Sequence, residues 1–180
     1  MKYENVNHAL KHSNSDKATG WHQYGVIYNW IFNSLHLKLQ TKLNILEIGV
    51  SLYGAGSMTA IANLDVCNLF VGIDIKDYAA PIPEKCVFYK MDAYCKETVN
   101  LLRETHEGFD IIIDDGSHLP EHQQWVLDNY DRLLSAHGIL IIEDVWDKSY
   151  LKDLTDVYIV HDTFNAISDD SVLILKGDIW

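Results

Sequence analysis

Basic residues are scarce in this chain. Its 180 residues carry 14 Lys and Arg against 26 Asp and Glu, a formal net charge of −12. That deficit leaves no long basic stripe for a nucleic-acid backbone or an anionic membrane surface. Cysteine is thin as well: Cys67, Cys86 and Cys95 are scattered, odd in number and form no C-x-x-C pair. A disulfide framework is disfavoured, and a reducing compartment is expected. No apolar run approaches the roughly 18 residues of a membrane span, and the opening MKYENVNHAL has no apolar core of a signal peptide. A dinucleotide fingerprint G-x-G-x-x-G is missing too, since Gly54 and Gly56 fall off that spacing from Gly49. The expectation is a cytoplasmic protein with neither nucleic acid nor membrane as partner.

What is present is alternation. LNILEIG (43–49), LFVGIDI (69–75), CVFYKMD (86–92), FDIIIDD (109–115) and GILIIED (138–144) are short, β-branched apolar runs, each closing on an acid or a glycine. Strands apolar at every position are covered on both faces, the mark of a parallel sheet. Helix-like stretches lie between them at 56–64, about 95–106 and 120–135, and an earlier one spans 20–39. Pro120 suits the first turn of its helix. Near the end, VYIVHD (157–162) and SVLILKG (171–177) are separated by too few residues for a crossover helix, so an antiparallel hairpin is expected. The spacing predicts an α/β, doubly wound, Rossmann-like fold of seven strands, five parallel plus the antiparallel C-terminal hairpin, with helices on both faces. One domain is expected over 1–180, with an N-terminal helical segment at 1–40 and the core sheet at 41–180.

In such sheets ligands sit beyond the carboxyl ends of the strands. Glu47 and Gly49 close the first run, and the loop GVSLYGAGS follows, with Gly54 and Ser57 as further candidates for holding a ligand. Glycines let a backbone approach a ligand closely and leave helix N–H groups facing it. Asp74 ends the second run, where a carboxylate binds a ribose diol. Asp92 ends the third, within reach of an adenine amino group. For any one of these residues, strand termination alone is an equal explanation; the ordered set of Glu47, Gly49, Asp74 and Asp92 favours a nucleoside ligand. An acid two residues ahead of the first glycine suits a cationic ligand better than a pyrophosphate.

The stretch FDIIIDDGSHLPEHQ (109–123) carries more acids than a turn requires. Asp115 follows the fourth run, and Glu143 and Asp144 follow the fifth. Adjacent parallel strands would bring these carboxylates together, which at neutral pH demands a cation or shifted pKa values. An all-oxygen set suits Mg²⁺, Mn²⁺ or Ca²⁺. His118, with an ordinary pKa of about 6.5, is the candidate general base. A zinc site on His118 and His122 is disfavoured, because Pro120 intervenes and no third nitrogen or sulfur ligand is evident. Asp114 either backs a metal or only ends its strand. SDK (15–17), with His22 and Tyr24, either folds over a ligand or caps the first helix. Trp21, Tyr28, Trp30 and Phe32 read as helix packing, and Asp169-Asp170 as a solvated hairpin loop.

The E-I-G loop and the hairpin-terminated sheet resemble those of class I S-adenosylmethionine (SAM)-dependent methyltransferases over roughly 43–177. SDKATGWHQY (15–24), LEIGV (46–50), VGIDI (71–75), IIDDGSHLPEHQ (112–123) and GILIIEDV (138–145) together resemble the metal-dependent sugar O-methyltransferases of macrolide biosynthesis. The resemblance implies SAM as cofactor, bound along Glu47, Gly49, Gly54, Ser57, Asp74 and Asp92. It also implies Mg²⁺ or Mn²⁺ on Asp115, Glu143 and Asp144, with His118 as the base. The implied reaction is methyl transfer to a hydroxyl of a sugar or other small molecule. The chain departs from the family in a glycine loop two residues longer and in short flanks around the core, so acceptor identity does not carry over. A SAM-fold binding or regulatory protein without methyl transfer is the alternative, and a nicotinamide oxidoreductase is disfavoured by the missing fingerprint. Oligomeric state, a homo-oligomer included, stays open.

Overall fold

The computed structural model describes residues 5–13, 15, 17–18, 24–50, 56–78, 80–146, 148–152, 157–161 and 172–177. The candidates Trp21, His22, Gly54 and Asp169-Asp170 lie outside them. In chain order the elements are α1 (Val6–His12), α2 (Tyr24–Leu39), β1 (Leu43–Ile48), α3 (Gly56–Ala62), β2 (Cys67–Asp74) and β3 (Cys86–Lys90). They continue with α4 (Lys96–Thr105), β4 (Phe109–Asp114), α5 (Pro120–Asn129), β5 (Leu134–Ile142), β6 (Val157–His161) and β7 (Val172–Gly177).

The strands lie in the order β3-β2-β1-β4-β5-β7-β6. Pairing is parallel from β3 to β5, and β7 runs antiparallel to both β5 and β6. The apolar runs are explained by alternation of side chains across a sheet covered twice. Ile45, Ile111 and Ile139 pack into one core with Leu10 of α1, Ile31 and Phe32 of α2, and Met58 and Ile61 of α3. Their neighbours Leu46, Ile112 and Leu140 pack into the other with Val99 and Leu102 of α4 and Val126 of α5. Both faces of the sheet are therefore sealed by helices. No helix among the described residues is long and apolar enough to cross a membrane.

Two local differences from expectation have physical causes. Helix α1 has only seven residues, too few to show a helical period. It forms because Asn5 Oδ1 accepts the His8 N–H at 2.9 Å, while Val6, Ala9 and Leu10 bury its inner face. Helix α5, expected to reach residue 135, stops at Asn129 and gives way to a 3₁₀ turn at Asp131–Leu133. Leu134 instead opens β5 opposite Phe109, so ladder pairing outweighs the helical spacing of Leu133 and Leu134.

The chain runs outward from β1 in both directions, to β2 and β3 on one side and to β4 and β5 on the other. The carboxyl ends of β1 and β4 thus mark the point where strand order reverses. There the Asp115 N–H donates to the Ile48 carbonyl at 3.0 Å, and the Glu143 N–H to the Asp114 carbonyl at 2.9 Å. Gly49 sits at φ +89°, and a Cβ there would collide with the Asp115 carbonyl oxygen. The loops after β1 and β4 can touch only because residue 49 has no side chain.

Candidate functional site

Two cavities open at these strand ends. The larger, about 230 Å³, is walled by Ile48, Ile73, Ile75, Met91 and Ala93 and bordered by Asp74 and Tyr94. The smaller, about 80 Å³, is the more polar of the two, lined by Ser15, Lys17, Ser57, Asp115, His118 and Asp144 among others. Gly49 and Gly116 line both, so the cavities meet at the two glycines.

On the larger side each acid braces the loop that follows it. Asp74 Oδ1 accepts the Lys76 N–H at 2.8 Å, and Asp92 Oδ1 accepts the Tyr94 N–H at 2.8 Å. Asp74 borders the cavity directly, whereas Asp92 is exposed and contributes through its neighbours Met91 and Ala93. An apolar slot with a carboxylate at its rim suits a flat base carrying a diol.

The smaller side is electrostatically unlike it. Glu47, Asp114, Glu143 and Asp144 are all buried at the ends of β1, β4 and β5. The cation among them is Lys17, only 2% exposed. Its Nζ donates to Asp115 Oδ2, to Glu143 Oε1 at 2.8 Å and to Glu143 Oε2 at 2.9 Å, and lies 3.4 Å from Glu47 Oε1. The Tyr28 hydroxyl donates to Glu143, and the Tyr24 hydroxyl to Asp144 Oδ1 at 2.6 Å. Gln123 Nε2 donates to the carbonyls of Glu143 and Asp144 at 3.1 and 3.3 Å. His118 Nε2 lies 3.2 Å from Asp115 Oδ1 and 3.7 Å from Asp144 Oδ2.

These contacts shift the acids apart. Burial, together with the Asp115 charge and against Lys17, pushes Glu47 up to about 7. Burial also drives Glu143 upward, with Asp115 and Asp144 adding and Lys17 opposing. For Asp115 burial works against ionisation, but Lys17 and His118 win and its carboxyl stays below the ordinary value. Lys17 is held protonated: burial pulls it down, and Asp115, Glu143 and Glu47 more than compensate. The hydrogen bond to Asp115 raises His118 against its own burial.

The D-D-G-S-H loop has a task for every residue. Asp114 Oδ1 accepts from the Tyr94 hydroxyl at 3.0 Å, which in turn accepts the Ser117 N–H at 3.0 Å. A Cβ on Gly116 would collide with that hydroxyl. Ser117 Oγ pairs with His122 Nδ1 at 2.6 Å, and the His122 ring stacks on Tyr94 with centroids 4.0 Å apart. His122 is therefore turned to the loop and not toward a shared ligand with His118. His118 and Asp144 both adopt left-handed backbone, φ +56° and +52°. Non-glycine residues rarely do so, and such strain gathers at sites of function.

The candidates thus separate. Asp115, His118 and Asp144 each offer a ligand atom within 4.8 Å of the others. Glu143, expected beside them, gives its carboxylate to Lys17 and Tyr28 instead. Ser57 lines the smaller cavity from the first turn of α3. Glu47, expected to hold the cofactor, lines neither cavity and faces Lys17 instead. Lys17 enters the carboxylate cluster and, with Ser15, lines the smaller cavity. Tyr24 and Tyr28 are more than packing, and their i, i+4 spacing, which aims both hydroxyls one way, was the available signal. Tyr94 carried none.

No family model matches the chain. A tetracenomycin 3'-O-methyltransferase of Streptomyces olivaceus is 27% identical over 143 residues, 77% of this chain and 36% of that protein. Demethylmacrocin O-methyltransferase of Streptomyces fradiae is 28% identical over 110 residues, 58% of this chain and 28% of that protein. Among solved structures, the MycE methyltransferase of mycinamycin biosynthesis, in complex with Mg, SAH and mycinamycin VI, superposes with a TM-score of 0.72. Its identity is 17%, covering 97% of this chain and 55% of MycE. The chain resembles the class I SAM-dependent methyltransferases. It has their α/β sheet, mostly parallel with an antiparallel C-terminal pair, and it spans only about a third of the curated relatives it matches.

Proposed function

We propose that this chain is a SAM-dependent O-methyltransferase that acts, with a divalent metal ion, on a hydroxyl of a sugar or other small molecule. The observation that carries the proposal is the junction of two unlike cavities at Gly49 and Gly116. One is apolar and edged by Asp74; the other presents Asp115, His118 and Asp144. The curated relatives, both O-methyltransferases by name, support the same reading.

The residues present fit both groups. The carboxylates of Asp115 and Asp144, which offer oxygens within 4.8 Å of one another beside His118, suit a single ion, and the larger cavity has the apolar walls and rim carboxylate that a nucleoside needs. Asp115 and Asp144 would hold the metal, with Glu143 behind them on Lys17; Asp74 would take the ribose hydroxyls and Asp92 the adenine edge. SAM supplies an electrophilic methyl group, and a divalent ion lowers the pKa of a nearby hydroxyl. The chain's own part is positioning and proton handling. Ionised Asp115 faces His118 Nε2 and so favours the tautomer with its proton there, leaving Nδ1 as the lone pair that accepts a proton. Tyr94 and Asp114 fix the loop that carries His118.

The test is transfer of labelled methyl from SAM to a panel of catechols, sugars and glycosides. Transfer dependent on Mg²⁺ or Mn²⁺ is expected, along with a metal-induced rise in melting temperature. Asp115→Asn combined with Asp144→Asn should remove both. SAM binding without transfer to any acceptor would leave a binding protein.

A further inference from the structure

The N-terminal segment reaches into the acid cluster from far away in sequence. Lys17 and its ion-pair partners Asp115 and Glu143 lie 98 and 126 positions apart. The segment is fixed where it crosses: the Gly25 N–H donates to the Lys17 carbonyl at 2.8 Å, and the Ser15 N–H to the Leu10 carbonyl at 3.1 Å. It passes so close to the start of α3 that a Cβ on Gly56 would collide with the Ser13 carbonyl.

Lys17 divides the acids into two sets. Glu47, Glu143 and Asp115 Oδ2 face the ammonium. Asp115 Oδ1 and Asp144 Oδ2 face His118. Glu47 is wholly buried, and among the described residues neither of its carboxylate oxygens has a hydrogen-bond partner. Its charged form is eased by the Lys17 ammonium 3.4 Å away.

We propose that Lys17 is a resident counter-cation that occupies one half of the carboxylate cluster and confines a divalent ion to the Asp115–His118–Asp144 half. The inference rests on reading that half as the metal site. Two consequences follow. With Glu143 and one oxygen of Asp115 engaged by the ammonium, the ion receives few protein ligands and keeps positions open for an acceptor's hydroxyls. Metal affinity is also held down by a positive charge in contact with a shared ligand. Without the ammonium, Glu47, Glu143 and Asp115 Oδ2 turn to the same space as Asp144, an oxygen-rich site of higher charge.

The experiment is Mn²⁺ titration of the full chain, without SAM or acceptor, for the parent and for Lys17→Met, read by calorimetry and by loss of the free-Mn²⁺ paramagnetic signal. Lys17→Met is expected to bind Mn²⁺ at least about tenfold more tightly, through relieved repulsion and added ligand atoms. Unchanged or weaker binding by folded variant protein overturns the proposal. If Lys17→Met does not fold alone, Mn²⁺ is expected to restore its helical circular dichroism, and failure to restore it overturns the proposal as well. Lys17→Met/Glu143→Gln, which rebalances the charge, is expected to fold and to bind Mn²⁺ more weakly than Lys17→Met; binding as tight as that of Lys17→Met counts against Glu143 as a released ligand and overturns the division. SAM affinity is measured on the same samples. Absence of SAM binding alongside the expected Mn²⁺ behaviour would sink the methyltransferase reading and leave this one standing.

Discussion

Aspartates end both β2 and β4, yet the two strand ends have opposite characters. Asp74 is partly exposed, braces the next turn through Lys76 and edges a cavity walled by isoleucines and methionine. Asp114 and Asp115 sit among Tyr94, Lys17 and His118, beside two residues in left-handed backbone. The position at a strand's carboxyl end is the same; the neighbours differ. Beside β2 lie β1 and β3, and β3 is short and only partly buried, so water reaches the acid from that side. Beside β4 lie β1 and β5, each ending in a buried glutamate under α2 and the Lys17 segment. One region presents an apolar slot, the other a cluster of paired charges.

The largest expected effect separates these two regions. His118→Ala should lower methyl transfer by roughly 10²–10⁴-fold, the usual contribution of a general base. SAM affinity should stay near that of the parent, because His118 lines only the smaller cavity. The parent's pH–rate profile should rise through a limb displaced above the ordinary histidine value, since the Asp115 hydrogen bond raises His118, and the variant should lose that limb. An equal loss of SAM affinity would show that the two regions are not separable.

A smaller effect sharpens the account of the loop. Burial pushes Asp114 from 3.8 up to about 7. The folded protein thus keeps a proton that the unfolded chain releases, and stability falls as pH rises from about 4 to about 7. Asp114→Asn keeps an acceptor for the Tyr94 hydroxyl and removes that loss. Thermal melts at a series of pH values should coincide for parent and variant near pH 4 and diverge above it. By about pH 7 and beyond, the variant should be the more stable by roughly 2–4 kcal/mol. Parallel curves would show that Asp114 is not destabilised by its burial.

Sequence alone exposes the sheet because each central strand is apolar on both sides, as Ile45 and Leu46 show by entering different cores. It exposes the approach of Asp115 to Glu143 and Asp144, with His118 on the Asp115 loop, because adjacent strand ends must converge. It conceals what depends on distant partners. Lys17 enters the cluster across 98 and 126 positions, and no local pattern encodes such a reach. Glu143 is read as Asp144's companion from its place at the strand end and from the E-D resemblance, while a lysine and a tyrosine from the N-terminal region decide where its carboxylate points. Asp114 likewise owes its place to Tyr94, twenty residues earlier and on another strand's exit loop. The end of α5 is hidden for a kindred reason, since Leu134 answers to Phe109 and not to its own helix.

The most direct measurement is calorimetric titration of the chain with SAM, S-adenosylhomocysteine and NADH, repeated on Asp74→Ala. Binding of SAM or S-adenosylhomocysteine in the micromolar range, about −8 kcal/mol, is expected, with no NADH binding. Asp74→Ala should weaken it by more than about tenfold, or ~1.4 kcal/mol, through loss of the acceptor for a ribose diol. Binding of NADH in place of SAM, or SAM binding indifferent to Asp74, would contradict the division between a nucleoside cavity at β2 and a reacting site at β4 and β5.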